Sequence, residues 1–283
     1  MSVDVEDYFQ VEALKPYIPR RDWDSLPGRL PFNVDRILEL FDAAGVHATF
    51  FTLGWIAERY PEVLRRIAAR GHEVASHGYD HERASGQNRD TFREDVMRAK
   101  SLLEDITGNA VLGYRAPSYS IGASNLWALD VLAKAGYRYS SSIYPVRHDL
   151  YGMPDAPRFP FRAGRDGILE IPISTVRLFG HNLPCGGGGY FRLLPYRVSR
   201  WALGRINRRD RQPAIFYFHP WEIDPDQPRI PGVDWRSRFR HYLNLERMSG
   251  RLQQLLRDFR WDRVDRVFLA DSAEPDVKAA PGG

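Results

Sequence analysis

The run Ser76-His77-Gly78-Tyr79-Asp80-His81 places two imidazoles four residues apart, a spacing that brings both onto one metal ion when the segment turns helically. The same spacing occurs on solvated helix faces, so the motif gains meaning from its company. Three further polar groups follow apolar, strand-like runs. They are Asp4-Val5-Glu6-Asp7 at the start, Arg115-Ala116-Pro117 midway, and Phe216-Tyr217-Phe218-His219-Pro220-Trp221-Glu222 late. Polar side chains gathered from the ends of several strands are how α/β folds assemble active sites.

Strand alternation sends Asp4 and Glu6 to one side, with Asp7 at the turn beyond. Three carboxylates this close repel one another unless a cation sits among them. A solvated acidic loop is the plainer reading, but the apolar residues before the motif and Tyr8-Phe9 after it point to a pocket. One carboxylate with His77 and His81 makes three protein ligands and leaves a position open for water, the arrangement of a catalytic metal site. Water acidified there, with a second carboxylate to take its proton, makes a hydrolase. Arg115 suits a bidentate pair with the base carboxylate or, equally, a surface salt bridge, and the backbone N–H of Ser118 suits an oxyanion. His219 is either a satisfied core histidine or a general acid for a leaving amine.

These groups need a scaffold, and strand-like and helix-like segments alternate along the 283 residues, the signature of βα units around a mostly parallel sheet. Strands are predicted at 2–5, 48–53, 73–76, 111–114, 137–140, 168–173, 214–218 and 267–269. Helices are predicted between them, with Asn33 capping Val34–Ala44 and one long helix over 239–259. Segments 156–167 and 184–189, the latter with four consecutive glycines, read as loops. Residues 1–270 read as one domain and 271–283 as a disordered tail.

Composition narrows the class. With 43% hydrophobic and 27% charged residues the chain is an ordinary globular one, which excludes a disordered protein. No apolar stretch approaches the roughly 20 residues of a transmembrane helix, so stable membrane insertion is not expected. The net charge is +4, and its densest segment runs from Arg197 to Arg211. Trp201, Leu203 and Ile206 interleave there as the buried side of a basic helix, which argues against nucleic acid as a partner. Cys185 is the single cysteine, so neither an intramolecular disulfide nor a multi-cysteine zinc site can form. The absence of a secretory signal at the N-terminus predicts a cytoplasmic location, with periplasmic action left open.

Taken in order, these motifs resemble those of the polysaccharide deacetylases of carbohydrate esterase family 4. Asp4 with Glu6 or Asp7, His77 and His81, Arg115-Ala116-Pro117, and His219 hold the places of the family's motifs. The wording of Ser2 to Val11, of Tyr139 to Pro145 and of Phe218 to Glu222 is most similar to the branch found in exosortase-associated exopolysaccharide loci. The resemblance implies a distorted (β/α)7 barrel, a divalent metal (usually zinc), and removal of N-acetyl groups from a hexosamine-containing polysaccharide. It implies Asp4 as base, Glu6 or Asp7 with His77 and His81 as metal ligands, Ser118 N–H for the oxyanion, and His219 as acid. Two departures stand out. The family's paired aspartates are adjacent, whereas Asp4 and Glu6 are separated by Val5. The aspartate that orients the acid histidine is replaced by Ser140, which leaves Glu222 or Asp224 to substitute.

Two other readings compete. An amidase of small cyclic amides uses the same chemistry in a pocket closed by loops. A non-catalytic carbohydrate-binding protein would use Trp221, Trp235, Tyr190 and Tyr119 as stacking faces.

Overall fold

The computed structural model describes residues 1–148 and 151–269, so the tail expected at 271–283 lies outside the described residues. Parallel strands buried on both faces read as continuous apolar runs, and the chain supplies them at regular intervals. Strands β1 (Ser2–Val5), β2 (Thr49–Thr52), β3 (Glu73–Ser76), β4 (Gly113–Tyr114) and β5 (Tyr139–Ser140) are followed by β6 (Phe161–Ala163) and β7 (Ile168–Glu170). Then come a hairpin, β8 (Thr175–Leu178) with β9 (His181–Pro184), and a last strand, β10 (Tyr217–Phe218). The main sheet has the order β10-β1-β2-β3-β4-β5-β7-β6, and only the β6–β7 pairing is antiparallel. Seven parallel strands thus curl into a half-barrel in a single α/β domain, as the sequence led us to expect. Between its last parallel strand and β10, residues 185–187 span the seam. The Cys185 N–H donates to Ser174 O, and the Tyr217 N–H donates to Gly186 O at 2.8 Å.

The outer helices are α1 (Leu30–Ala44), α2 (Gly54–Arg59), α3 (Pro61–Ala69), α4 (Arg89–Thr107), α5 (Trp127–Lys134), α6 (Gly188–Leu193), α7 (Tyr196–Arg205), α8 (Trp235–Tyr242), α9 (Leu245–Asp258) and α10 (Val264–Phe268). Their apolar stripes face the sheet. In α4, Phe92, Val96, Ala99 and Leu103 are buried, the helix opens on a reciprocal Asn88–Thr91 capping box, and it closes on left-handed Gly108.

Four expectations about the elements are corrected. Asn33 is no cap: α1 starts at Leu30, and buried Asn33 donates from Nδ2 to Asp224. The helix expected over 239–259 is two, broken where Asn244 takes φ +51 and donates to Arg192 O. No strand forms at 267–269: residues 267 and 268 close α10, in which Val264 and Phe268, one turn apart, pack into the same apolar cluster. In the basic segment Leu203 and Ile206 are buried but Trp201 is exposed, because residues two apart on a helix stand roughly 200° apart around its axis.

One buried group couples this scaffold to pH. His72 precedes β3, is only 4% exposed, and accepts the Ala48 N–H on Nδ1. Burial, with His47 nearby, lowers its pKa to about 4. The unfolded chain takes up this proton below its ordinary value near 6.5, whereas the folded protein resists until about 4. Stability is therefore full above the upper value and falls as pH drops through that window, by at most about 3 kcal/mol. Buried His241, lowered to about 3, acts in the same direction. Denaturant midpoints of wild type and His72→Gln at pH 7.5 and 4.5 should show a smaller pH-dependent loss in the variant. Equal losses would assign the slope elsewhere.

Candidate metal centre and active site

Parallel strands all point their carboxyl ends one way, and the groups singled out in the sequence gather at that end. β1 delivers Asp4 from within the strand and Glu6 from the turn after it, where the Glu6 N–H donates to Asp4 O. Both carboxylates are buried.

The two histidines converge by a route the spacing alone does not predict. Residues 77–81 form a loop after β3 rather than a helical turn, with Gly78 at φ +79 and His81 at φ +56. A Cβ on Gly78 would lie 2.9 Å from Asp95 Oδ2, so both the conformation and the space demand glycine. The loop is clamped by the first N–H groups of α2, which donate from Gly54 and Trp55 to the carbonyls of Gly78 and Tyr79.

Glu6, His77 and His81 form the centre, their donor atoms all within 4.8 Å of one another. His77 Nε2 is 2.9 Å and His81 Nε2 3.1 Å from Glu6 Oε1. His77 Nδ1 donates to the carbonyl of Arg115 at 2.8 Å, which leaves a lone pair on Nε2 of the neutral ring. That lone pair faces a carboxylate, so a cation or a shared proton belongs between them. Two imidazoles and one carboxylate, with an outer hydrogen bond fixing one ring, match the donor set of a catalytic divalent metal site.

Asp7 is not part of the cluster. Its Oδ2 accepts the N–H groups of Arg29 (2.7 Å) and Leu30 (3.1 Å) at the start of α1, and Oδ1 accepts the Tyr8 N–H. Burial raises its pKa to about 6 against those hydrogen bonds.

Arg115, fully buried after β4, holds Asp4 from the other side. Nη1 donates to Asp4 Oδ1 and to Ser2 Oγ, Nε to Ser141 O, and Nη2 to Ser141 Oγ. Its guanidinium carbon also lies 4.0 Å from the centroid of the Phe51 ring. The partner is therefore a buried carboxylate rather than a surface one. Ser118 follows in a left-handed conformation (φ +53) and lines the same cavity.

His219 lies just beyond β10 with Nε2 4.0 Å from Glu6 Oε1. Its Nδ1 donates to Glu222 Oε1 at 2.8 Å, and Glu222 Oε2 accepts from Arg192 Nε at 2.7 Å. Burial alone would lower the His219 pKa, but the charges of Glu6, Glu222 and Asp4 outweigh it and raise the value to about 9. Burial likewise opposes ionisation of Glu222, and Arg192 with His219 overrides it, down to about 2. Of the two acidic candidates it is Glu222 that bonds His219, whereas Asp224 pairs with Arg29 and Asn33. Ser140 bonds Ser142 instead.

Arg192 was not foreseen. It is buried on α6 and also donates to the carbonyls of Arg240, His241 and Leu243. The tetraglycine serves this arrangement rather than forming a free loop: Gly188 opens α6 against the Glu222 carboxylate, and a Cβ on Gly187 would meet the Tyr217 ring.

Asp4, Glu6, His77, His81, Ser118 and His219 line one cavity of about 140 Å³, walled also by Val11, Glu12, Tyr119, Tyr151, Tyr217 and Trp221. A larger hollow of about 570 Å³ lies by Met1, Ile215 and Trp261, at the amino ends of the strands, and has no histidine in its lining. Among the described residues no helix is long and apolar enough to cross a membrane.

The class defined so far is an α/β half-barrel with a candidate three-ligand metal centre at the carboxyl end of its strands. Residues 22–140 match the polysaccharide deacetylase family model, and 141–269 match a domain of unknown function, DUF3473. Over residues 22–140 the chain is thus similar to the polysaccharide deacetylases. It is 33% identical over 111 residues to a peptidoglycan deacetylase of Helicobacter pylori, covering 39% of this chain and 37% of that one. It is 32% identical over 150 residues to a chitooligosaccharide deacetylase of Bradyrhizobium, covering 53% and 63%. The chain thus spans less than two thirds of these relatives. A solved polysaccharide deacetylase-like structure from Mycobacterium smegmatis superposes with a TM-score of 0.61 at 21% identity, covering 100% of this chain and 94% of that one, which shows the shared fold.

Proposed function

We propose that this protein is a metal-dependent hydrolase that removes N-acetyl groups from a hexosamine-containing exopolysaccharide, as the exosortase-associated branch its motifs resemble would do. The observation that carries this reading is the convergence, in one cavity, of Asp4 held by Arg115 and His219 held by Glu222, on either side of the Glu6–His77–His81 centre. The relatives that deacetylate peptidoglycan and chitooligosaccharides support the same substrate class.

Glu6, His77 and His81 would hold a divalent cation, for which zinc fits the donor set, and such a cation would supply Lewis-acid polarisation of the acetyl carbonyl and a water acidified toward neutral pH. Asp4 takes the proton from the attacking water, and Arg115 fixes the carboxylate in place to do so. The Ser118 N–H supports the oxyanion. His219, on the other side, donates the proton from Nε2 to the departing sugar amine while Glu222 holds Nδ1. Acetate and a free amine are the products. A pure binding protein would need neither proton relay, which disfavours that alternative.

The test is acetate release by the zinc-loaded protein from N-acetylated hexosamine oligosaccharides and from small cyclic amides. Release from the sugars supports the proposal. Release from the cyclic amides alone would replace it with the amidase reading, and no release despite one bound metal per chain would favour a binding protein.

A further inference from the structure

We infer that Glu12 is a substrate-recognition residue, accepting a hydrogen bond from a ring hydroxyl of the sugar whose acetamide enters the site. The inference rests on the deacetylase reading above and adds a residue that reading does not use. Glu12 opens the short turn Glu12–Leu14 and lines the same cavity as Asp4, Glu6, His77, His81 and His219. Its Oε1 lies 3.6 Å from an Arg83 guanidinium nitrogen, beyond hydrogen-bond distance. Its Oε2 is buried and has no hydrogen-bond partner in the protein. A buried acceptor without a donor is costly, and such groups in native proteins mark places where something else supplies the bond.

An ionised carboxylate only accepts, so the missing partner is a donor. Two donors occur on this class of substrate: a ring hydroxyl, and the ammonium of a neighbouring sugar already deacetylated. Arg83 already sets one cation beside Oε1, so a neutral donor is the better complement. Glu12 lines the same cavity of about 140 Å³ as the metal centre, so a sugar presenting its acetamide there would bring its ring hydroxyls to the Glu12 side of the cavity.

The experiment compares wild type, Glu12→Ala and Glu12→Gln, all zinc-loaded with metal content verified, on triacetylchitotriose, a partly deacetylated chitotriose, and 4-nitrophenyl acetate, which carries no hydroxyl. Glu12→Ala should lose roughly tenfold to a hundredfold in kcat/KM on triacetylchitotriose, mostly through KM, as expected for one charge-assisted hydrogen bond. It should retain ester turnover within twofold, and Glu12→Gln, which keeps an acceptor oxygen, should recover most of the sugar activity. An equal loss on sugar and ester, or no loss on sugar, overturns the inference. So does a Glu12→Gln as impaired as Glu12→Ala in an enzyme that prefers the partly deacetylated sugar, which would point to the ammonium. Wild type that cleaves the ester but no sugar removes the deacetylase reading itself, whereas failure of the Glu12 inference alone leaves wild-type sugar turnover intact.

Discussion

Asp4→Asn should leave metal content unchanged and lower kcat for deacetylation by roughly 10²- to 10⁴-fold, the range that a positioned general base supplies. The asparagine keeps an oxygen for Arg115 but cannot take a proton from water. A second effect accompanies the first. Arg115 is completely buried and its carboxylate partner is Asp4, and breaking a buried pair from one side costs roughly 3–5 kcal/mol. The retained oxygen brings the asparagine below that range, so a measurable fall in Tm is expected as well. Because a partly unfolded enzyme also loses activity, kcat must be measured well below the variant's own transition, with metal stoichiometry determined on the same sample. A folded, metal-loaded variant within tenfold of wild type would place the base elsewhere.

How Arg115 reaches Asp4 also explains why much of this site was legible in the sequence. Each group that the chain places directly after an apolar run lands at the carboxyl end of a parallel strand, because the fold aligns those ends. Strand ends thus pointed to one shared location for Asp4, Glu6, Arg115 and His219, and that is where the fold brings them. The path of the HxxxH segment was not legible in the same way. Its convergence depends on two positive φ values at Gly78 and His81 and on anchorage to α2, which a spacing rule cannot register. Glu222 stands three residues after His219 across a turn opened by Pro220, near enough in sequence to be weighed against Asp224. Choosing between them required seeing Asp224 engaged by Arg29.

Arg192 left no local signal. Its carboxylate partner is 30 residues away and its other acceptors are backbone carbonyls around residue 241, which carry no residue identity for a sequence to reveal. The same holds for Glu12, whose meaning lies in an unpaired oxygen inside a cavity. The short apolar run at 267–269 misled for a different reason: three residues are too few to separate a period of two from one of 3.6. Tertiary packing of Val264 and Phe268 decides in favour of helix.

The choice between Glu6 and Asp7 yields the other large effect. Glu6→Ala removes one of three donors from the centre. Changing an outer-shell partner of a metal ligand costs roughly 10- to 100-fold in metal affinity, and losing a ligand itself should cost more, taking deacetylation with it. Asp7→Ala should keep both metal and most activity, since Asp7 faces away and accepts the Arg29 and Leu30 N–H groups at the head of α1. Its loss should appear as instability of roughly 1–2 kcal/mol, the worth of a helix cap. Zinc titration and denaturant unfolding of the two variants therefore separate the roles: Glu6→Ala loses the metal, whereas Asp7→Ala keeps the metal and loses stability. Were Asp7→Ala to lose the metal while Glu6→Ala kept it, the acidic turn would have to rearrange around the ion, with Asp7 leaving α1 to become the ligand.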